Sequence, residues 1–136
     1  MKATVFALVS AFAALASNGA SAHHSFAMYD REKTVTLSGV VKEFSWAAPH
    51  VVIEVVAGKD KPESWSIEGN SPSVLARGGW NPSVMKPGDK VSLGIHPRKD
   101  SAAGGLLADE QQLMVNGQPA KGVLWLVPAG KEYLAQ

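Results

Sequence analysis

The chain has 136 residues, with 13 Lys and Arg against 12 Asp and Glu and no cysteine. That length suits one domain with a modest core. The balanced charge gives no basic excess of the kind nucleic-acid binding uses, and the missing cysteines exclude disulfides and thiolate metal sites.

The first 22 residues read as a cleavable secretory signal. Lys2 supplies a positive n-region, and the 14 residues from Ala3 to Ala16 form an apolar h-region. That run is shorter than the ~20 residues a membrane-spanning helix needs. Ser17, Asn18 and Gly19 break it, and Ala20-Ser21-Ala22 is an A-x-A cleavage site. Cleavage leaves residues 23–136, with 12 basic side chains against 12 acidic ones once Lys2 is gone. No Asn-x-Ser/Thr sequon lacking Pro is present, and a bacterial periplasm is the expected compartment. No later run is apolar enough to cross a bilayer.

The mature part alternates in short segments separated by turn residues, the pattern of a mostly-β domain. An N-terminal arm, 23–33, leads into a predicted strand from Thr34 to Trp46. Val35 and Leu37 share one face, Gly39 interrupts, and Phe44 and Trp46 continue on the other parity, which predicts a bulge. Ala47-Ala48-Pro49 makes a turn. His50 to Val56 forms the second strand, with Val51, Ile53 and Val55 on one face and His50, Val52 and Glu54 on the other. A polar loop from Gly58 to Pro62 leads to a third strand, Ser64 to Glu68, with Trp65 and Ile67 inward.

Ser71-Pro72 is a helix-start signal, an N-cap followed by Pro at the first helical position. A short helix through Val74, Leu75 and Ala76 ends at Gly78-Gly79. Lys86-Pro87-Gly88-Asp89 is a tight turn before a fourth strand through Val91, Leu93 and Ile95, ending at His96-Pro97. A polar loop spans Arg98 to Gly105, and a less regular fifth strand spans Leu106 to Val115. Asn116-Gly117 signals a type I′ turn. It opens a C-terminal extension, 116–136, in which Val123-Trp125-Val127 is a candidate edge strand. Three strands, a short helix and two more strands is the order of an OB-like five-stranded Greek-key barrel.

Four histidines carry the sharpest chemistry: His23, His24, His50 and His96. Cleavage after Ala22 makes His23 the new N-terminus. Its α-amino nitrogen and ring Nδ1 can then chelate one ion, and a second imidazole completes a tetragonal nitrogen set that suits Cu(II). The α-amino group titrates near 8 and is available at neutral pH by losing a proton. In an OB barrel the loops between strands 1 and 2 and between strands 4 and 5 border one binding face. His50 ends the first loop and His96 begins the second, so the topology predicts one shared rim. The 11 residues from His23 to Thr34 extend about 35 Å, enough for the arm to run back to that rim.

Other residues carry blander readings. Glu54 shares the parity of His50 and is a candidate ligand or supporting carboxylate, though a solvated strand-face position is the default. Met28, Met85 and Met114 are spread out and read as packing residues. Trp46, Trp65, Trp80 and Trp125 read as core in preference to a stacking platform. Ser71 and Ser73 lie in no nucleophile elbow. Glu43, Glu54, Glu63 and Glu68 are carboxylates that nothing in the sequence pairs across a cleft. Arg98-Lys99 with Arg77 forms at most a small basic rim, solvated by default.

These residues together resemble the exported bacterial group called domain of unknown function 6152. The resemblance rests on His23-His24-Ser25-Phe26-Ala27-Met28, on Val40-Val41-Lys42-Glu43-Phe44-Ser45-Trp46 with Pro49-His50, and on Trp65-Ser66-Ile67-Glu68-Gly69. It extends through Ser71, Pro72, Leu75, Arg77, Gly79 and Trp80, then Lys86-Pro87-Gly88-Asp89 and His96-Pro97, covering His23 to Val115. Ala48 departs from the family's usual Asn before Pro-His. The resemblance implies export and a small β-barrel, with no established activity.

The expectation is therefore a non-enzymatic periplasmic module that holds copper or a similar divalent ion with His23, His24, His50 and His96. Its partners are the ion and an unidentified periplasmic protein. The alternative is a metal-free OB-like module for a sugar, peptide or partner protein. A copper oxidase of the histidine-brace type ranks last, because the sequence offers no substrate groove or acid–base pair.

Overall fold

The structure, a computed structural model, describes residues 26–108 and 113–123. The signal segment, His23, His24 and the candidate edge-strand residues Trp125 and Val127 lie outside the described residues. After a single 3-10 turn, Phe26–Met28, the order is β1 (Val35–Ser45), β2 (Val52–Ala57), β3 (Glu63–Glu68), α1 (Pro72–Arg77), β4 (Lys90–Pro97), β5 (Gly104–Leu107), β6 (Met114–Val115) and β7 (Gln118–Pro119).

The sheet runs β1-β2-β3-β5-β4, and β1 also pairs with β4, which closes the barrel. All these pairings are antiparallel except β3 with β5, which is parallel. With α1 between β3 and β4, this is the predicted OB-like barrel. The first strand serves two neighbours because it is long. Val35 to Val40 pair with β4, and Gly39 to Ser45 pair with β2.

The predicted phase shift in β1 is present, but the bulge is not at Gly39. The register slips between Val41 and Glu43, so Lys42 is the extra residue. Leu37 and Val41 thus face the core before the bulge, and Phe44 packs against it afterwards on the opposite parity. Gly39 has a different reason for being glycine. A Cβ there would stand 2.3 Å from the Val56 carbonyl oxygen of β2.

The predicted fifth strand is two strands on one edge of β4. Leu107 pairs with Ile95 and Met114 pairs with Ser92. Between those pairings β4 advances three residues while its partner advances seven, so the chain leaves the ladder and returns. The irregular alternation from Leu106 to Val115 is the sequence trace of that excursion. Asn116 and Gly117 then take φ of 51° and 78°, the two left-handed positions of a type I′ turn joining β6 to β7.

The core lies inside the barrel. Val51, Ile53, Val55, Ile67 and Ile95 are fully buried, which is the inward parity read for strands 2, 3 and 4. Leu75 of α1, Trp80 and Met85 join the same cluster, and Trp46 and Trp65 pack against it. The helix starts as its sequence dictates: Ser71 caps it by accepting from the Val74 N–H, and Pro72 opens it. Asp89 closes the turn before β4. Its carboxylate accepts from the Lys86 N–H at 3.0 Å, the Lys86 ammonium at 2.7 Å and the Asn116 amide at 3.0 Å.

Candidate functional site

Sequence alternation decides which side chains reach the barrel exterior. Val52 of β2 pairs with Glu68 of β3, and Glu68 pairs with Leu106 of β5. The inward partners one residue away, Ile53, Ile67 and Ile95, are fully buried, so Glu68 stands on the outer face. The loop between β1 and β2 brings Pro49 and His50 beside it, the Ala48–Pro49 peptide bond being cis. The loop between β4 and β5 brings Arg98 and Ala103 to the other side. Together with Ser66 and Tyr29 these residues line a cleft of about 340 Å³.

Glu68 is the centre of the cleft. One carboxylate oxygen lies 2.5 Å from His50 Nδ1, and the other accepts from the Tyr29 hydroxyl at 2.9 Å. Burial, and then the carboxylate beside it, push the Tyr29 phenol up to about 12. Arg98 is held by the Asp100 carboxylate, which accepts from its Nε at 2.9 Å, and that guanidinium keeps Asp100 down at about 2.

Tyr29 arrives on the N-terminal arm, which lies along the β4–β5 loop. Tyr29 forms a bridge with Arg98, the Asp30 N–H donates to the Pro97 carbonyl at 2.8 Å, and the Lys99 N–H donates to the Met28 carbonyl at 2.9 Å. The Lys99 ammonium donates to the Ala27 carbonyl at 2.9 Å. At the start of the described arm, the Phe26 ring stacks at a tilt on the His50 imidazole, with centroids 5.6 Å apart.

His96 sits differently. It lies in β4, paired with Leu106, one residue before the strand ends. Its Nδ1 is 2.8 Å from the Lys33 carbonyl and 3.5 Å from the Thr34 hydroxyl. Leu106 separates it from Glu68, so two strand spacings, about 10 Å, lie between them. His50 lines the cleft and His96 does not. Among the described residues no three His, Asp or Glu side chains form a group able to hold a metal ion. Glu54 lies elsewhere on the outer face and accepts a hydrogen bond from Ser64 at 3.4 Å.

Sequence reading passed over the two residues that organise the cleft, Glu68 and Tyr29. For Glu68 a signal existed. A hairpin whose loop runs from Gly58 to Pro62 is centred at residue 60, which puts residue 68 opposite 52 and diagonal to His50. For Tyr29 there was none, because the arm has no period of its own.

The fold and cleft define a class: a small closed β-barrel of the OB type, with an imidazole, a carboxylate and a phenol hydrogen-bonded on the face that such barrels use for binding. The chain belongs to the family of unknown function designated DUF6152, whose family model matches residues 11–110. A comparison with curated proteins gave no significant match. Among the described residues no helix is long and apolar enough to cross a membrane.

Proposed function

We propose that this protein is an exported periplasmic module that binds a divalent ion, copper foremost, with His23, His24 and His50 as nitrogen donors at the cleft and His96, outside the cleft, as the outlying fourth histidine of the expected set. The observation that carries the reading is the contact between the Phe26 and His50 rings. Three residues of chain, at most about 11 Å, join Phe26 to His23. The amine and ring that cleavage after Ala22 would free therefore lie within covalent reach of His50.

The state of the two barrel histidines supports the reading. Each has an oxygen acceptor at Nδ1, a carboxylate for His50 and a backbone carbonyl for His96. Such partners hold the proton at Nδ1 and leave the Nε2 lone pair as the donor, the arrangement that metal-ligating histidines use. A set of nitrogens favours Cu(II) over harder ions.

The test is a Cu(II) titration of protein that begins at His23. Submicromolar binding, weakened at least about tenfold by His50→Ala, is expected, a loss of ~1.4 kcal/mol. Micromolar or weaker binding that His50→Ala and His96→Ala leave unchanged would overturn the reading. The cleft itself favours a second reading, a metal-free module for a small polar ligand, with Arg98, Ser66 and Glu68 supplying donors and acceptors. Ligand-induced shifts at Ser66 and Arg98 in protein stripped of metal would select it.

A further inference from the structure

Glu68 is a side chain in the cleft whose two oxygens are bonded to two other elements at once. It ends β3, its side chain is about one-fifth exposed, and each of its oxygens has a separate partner. One partner is His50, on the loop between β1 and β2. The other is Tyr29, on the N-terminal arm. An ionised carboxylate only accepts hydrogen bonds, so the neutral imidazole facing it must carry its proton on Nδ1.

We propose that Glu68 is a positioning residue: it fixes His50 as an Nε2 donor and, through Tyr29, ties that donor to the arm that carries the N-terminus. Ligand capture at His50 and docking of the arm are then coupled through one carboxylate. The part of this that concerns a metal ion rests on the reading of His50 as a ligand. The part that concerns the imidazole proton and the arm does not.

The geometry excludes simpler roles for Glu68. It makes no ion pair with Lys or Arg among the described residues, since the cation lining the cleft, Arg98, is engaged by Asp100. Nor is it a surface carboxylate free to turn, because both oxygens are engaged by groups from different segments. Arg98 Nη1 also reaches the Met28 sulfur at 3.3 Å, so the arm has a hold on the β4–β5 loop that does not involve Glu68. Removing the carboxylate should therefore loosen the arm at Tyr29 without detaching it.

The experiment uses the processed, metal-free protein, labelled with ¹⁵N. Two-bond ¹H–¹⁵N spectra of the His50 ring are expected to show the proton on Nδ1. In Glu68→Gln the amide NH2 can donate to Nδ1, so the proton is expected to move to Nε2 while circular dichroism stays that of the folded barrel. Amide exchange in residues 26–33 is expected to speed up in Glu68→Gln and in Tyr29→Phe, and only Glu68→Gln should change the tautomer. Cu(II) affinity is expected to fall about 10- to 100-fold in Glu68→Gln, the usual range for a lost supporting carboxylate.

An Nε2–H tautomer in the wild-type protein overturns the proposal, and that measurement needs no variant to fold. So does arm exchange that Glu68→Gln leaves unchanged. A wild-type protein that takes up no Cu(II) overturns the metal reading alone, because tautomer and arm exchange are both read without metal.

Discussion

The Tyr29 hydroxyl donates to the Glu68 carboxylate over 2.9 Å and so joins the N-terminal arm to the end of β3, across 39 positions of sequence. Without that bond, residues 26–33 would keep their contacts along the β4–β5 loop, the Phe26 ring on His50 and the Lys33 carbonyl beside His96, but nothing would tie them to β3. With it, the arm becomes one wall of the cleft.

The bond sets an alkaline limit. The Tyr29 phenol is raised to about 12 in the folded protein, against about 10 when unfolded. The folded state holds this proton more tightly. Its contribution to stability is therefore present below about pH 10 and is lost as pH rises through about 12. Phenolate absorbance of the folded protein should include a component that titrates near pH 12, and Tyr29→Phe should remove it.

Asp89 sets an acid limit of opposite sign. The Lys86 ammonium, the Asn116 amide and the Lys86 N–H hold its carboxylate down at about 2. The depressed value means that the contribution is complete above about pH 4 and is lost as pH falls through about 2. Urea denaturation across that range should show stability dropping towards acid. Asp89→Asn should flatten part of the slope, while Asp100, held down by Arg98, and Asp30, held down by Lys33, keep contributing to it.

Gly39 is expected to tolerate no side chain. Alanine would put its Cβ 2.3 Å from the Val56 carbonyl and 2.7 Å from a Val55 methyl, where β1 crosses β2. Overpacking of this kind costs about 1–3 kcal/mol. Gly39→Ala should lower the melting temperature by several degrees, measured by circular dichroism.

Ile53 tests the core from the other direction. It is fully buried near the start of β2. Ile53→Ala removes methylene groups that the closed barrel cannot collapse to replace and should cost about 2–5 kcal/mol, against about 0.5–1.5 for Ile53→Val. Chemical denaturation with an unchanged slope would confirm that the loss is in stability.

The free amine of His23 can be tested without touching the barrel. Acetylating the amine of His23 keeps all four histidines and removes the six-membered chelate ring that the amine and ring nitrogen would close on the ion. Cu(II) affinity should drop at least about tenfold, ~1.4 kcal/mol, by competition titration. Equal affinity in the two forms would dismiss the amine as a ligand.

Much of the barrel was legible because local patterns agree with the fold. Val51, Ile53 and Val55 alternate with His50, Val52 and Glu54, and that period alone assigns β2 its inner and outer faces. Ser71-Pro72 and Asn116-Gly117 announce their helix cap and turn, since those residues relieve local backbone costs. The bulge was harder to place. Gly39 looks like the irregular residue, yet the register slips at Lys42. A glycine can answer to a neighbouring strand's backbone as well as to its own conformation.

The site divides in the same way. Sequence by itself determined the strand order, the inward and outward parity, and the placing of His50 beside one binding loop, because these follow from side-chain period and turn chemistry along the chain. The tertiary structure alone decided that Glu68, and not Glu54, meets His50, that Tyr29 shares that carboxylate, and that His96 turns to the Lys33 carbonyl. Those partners come from segments distant in sequence, and a contact between them exists only once the barrel has closed and the arm has docked.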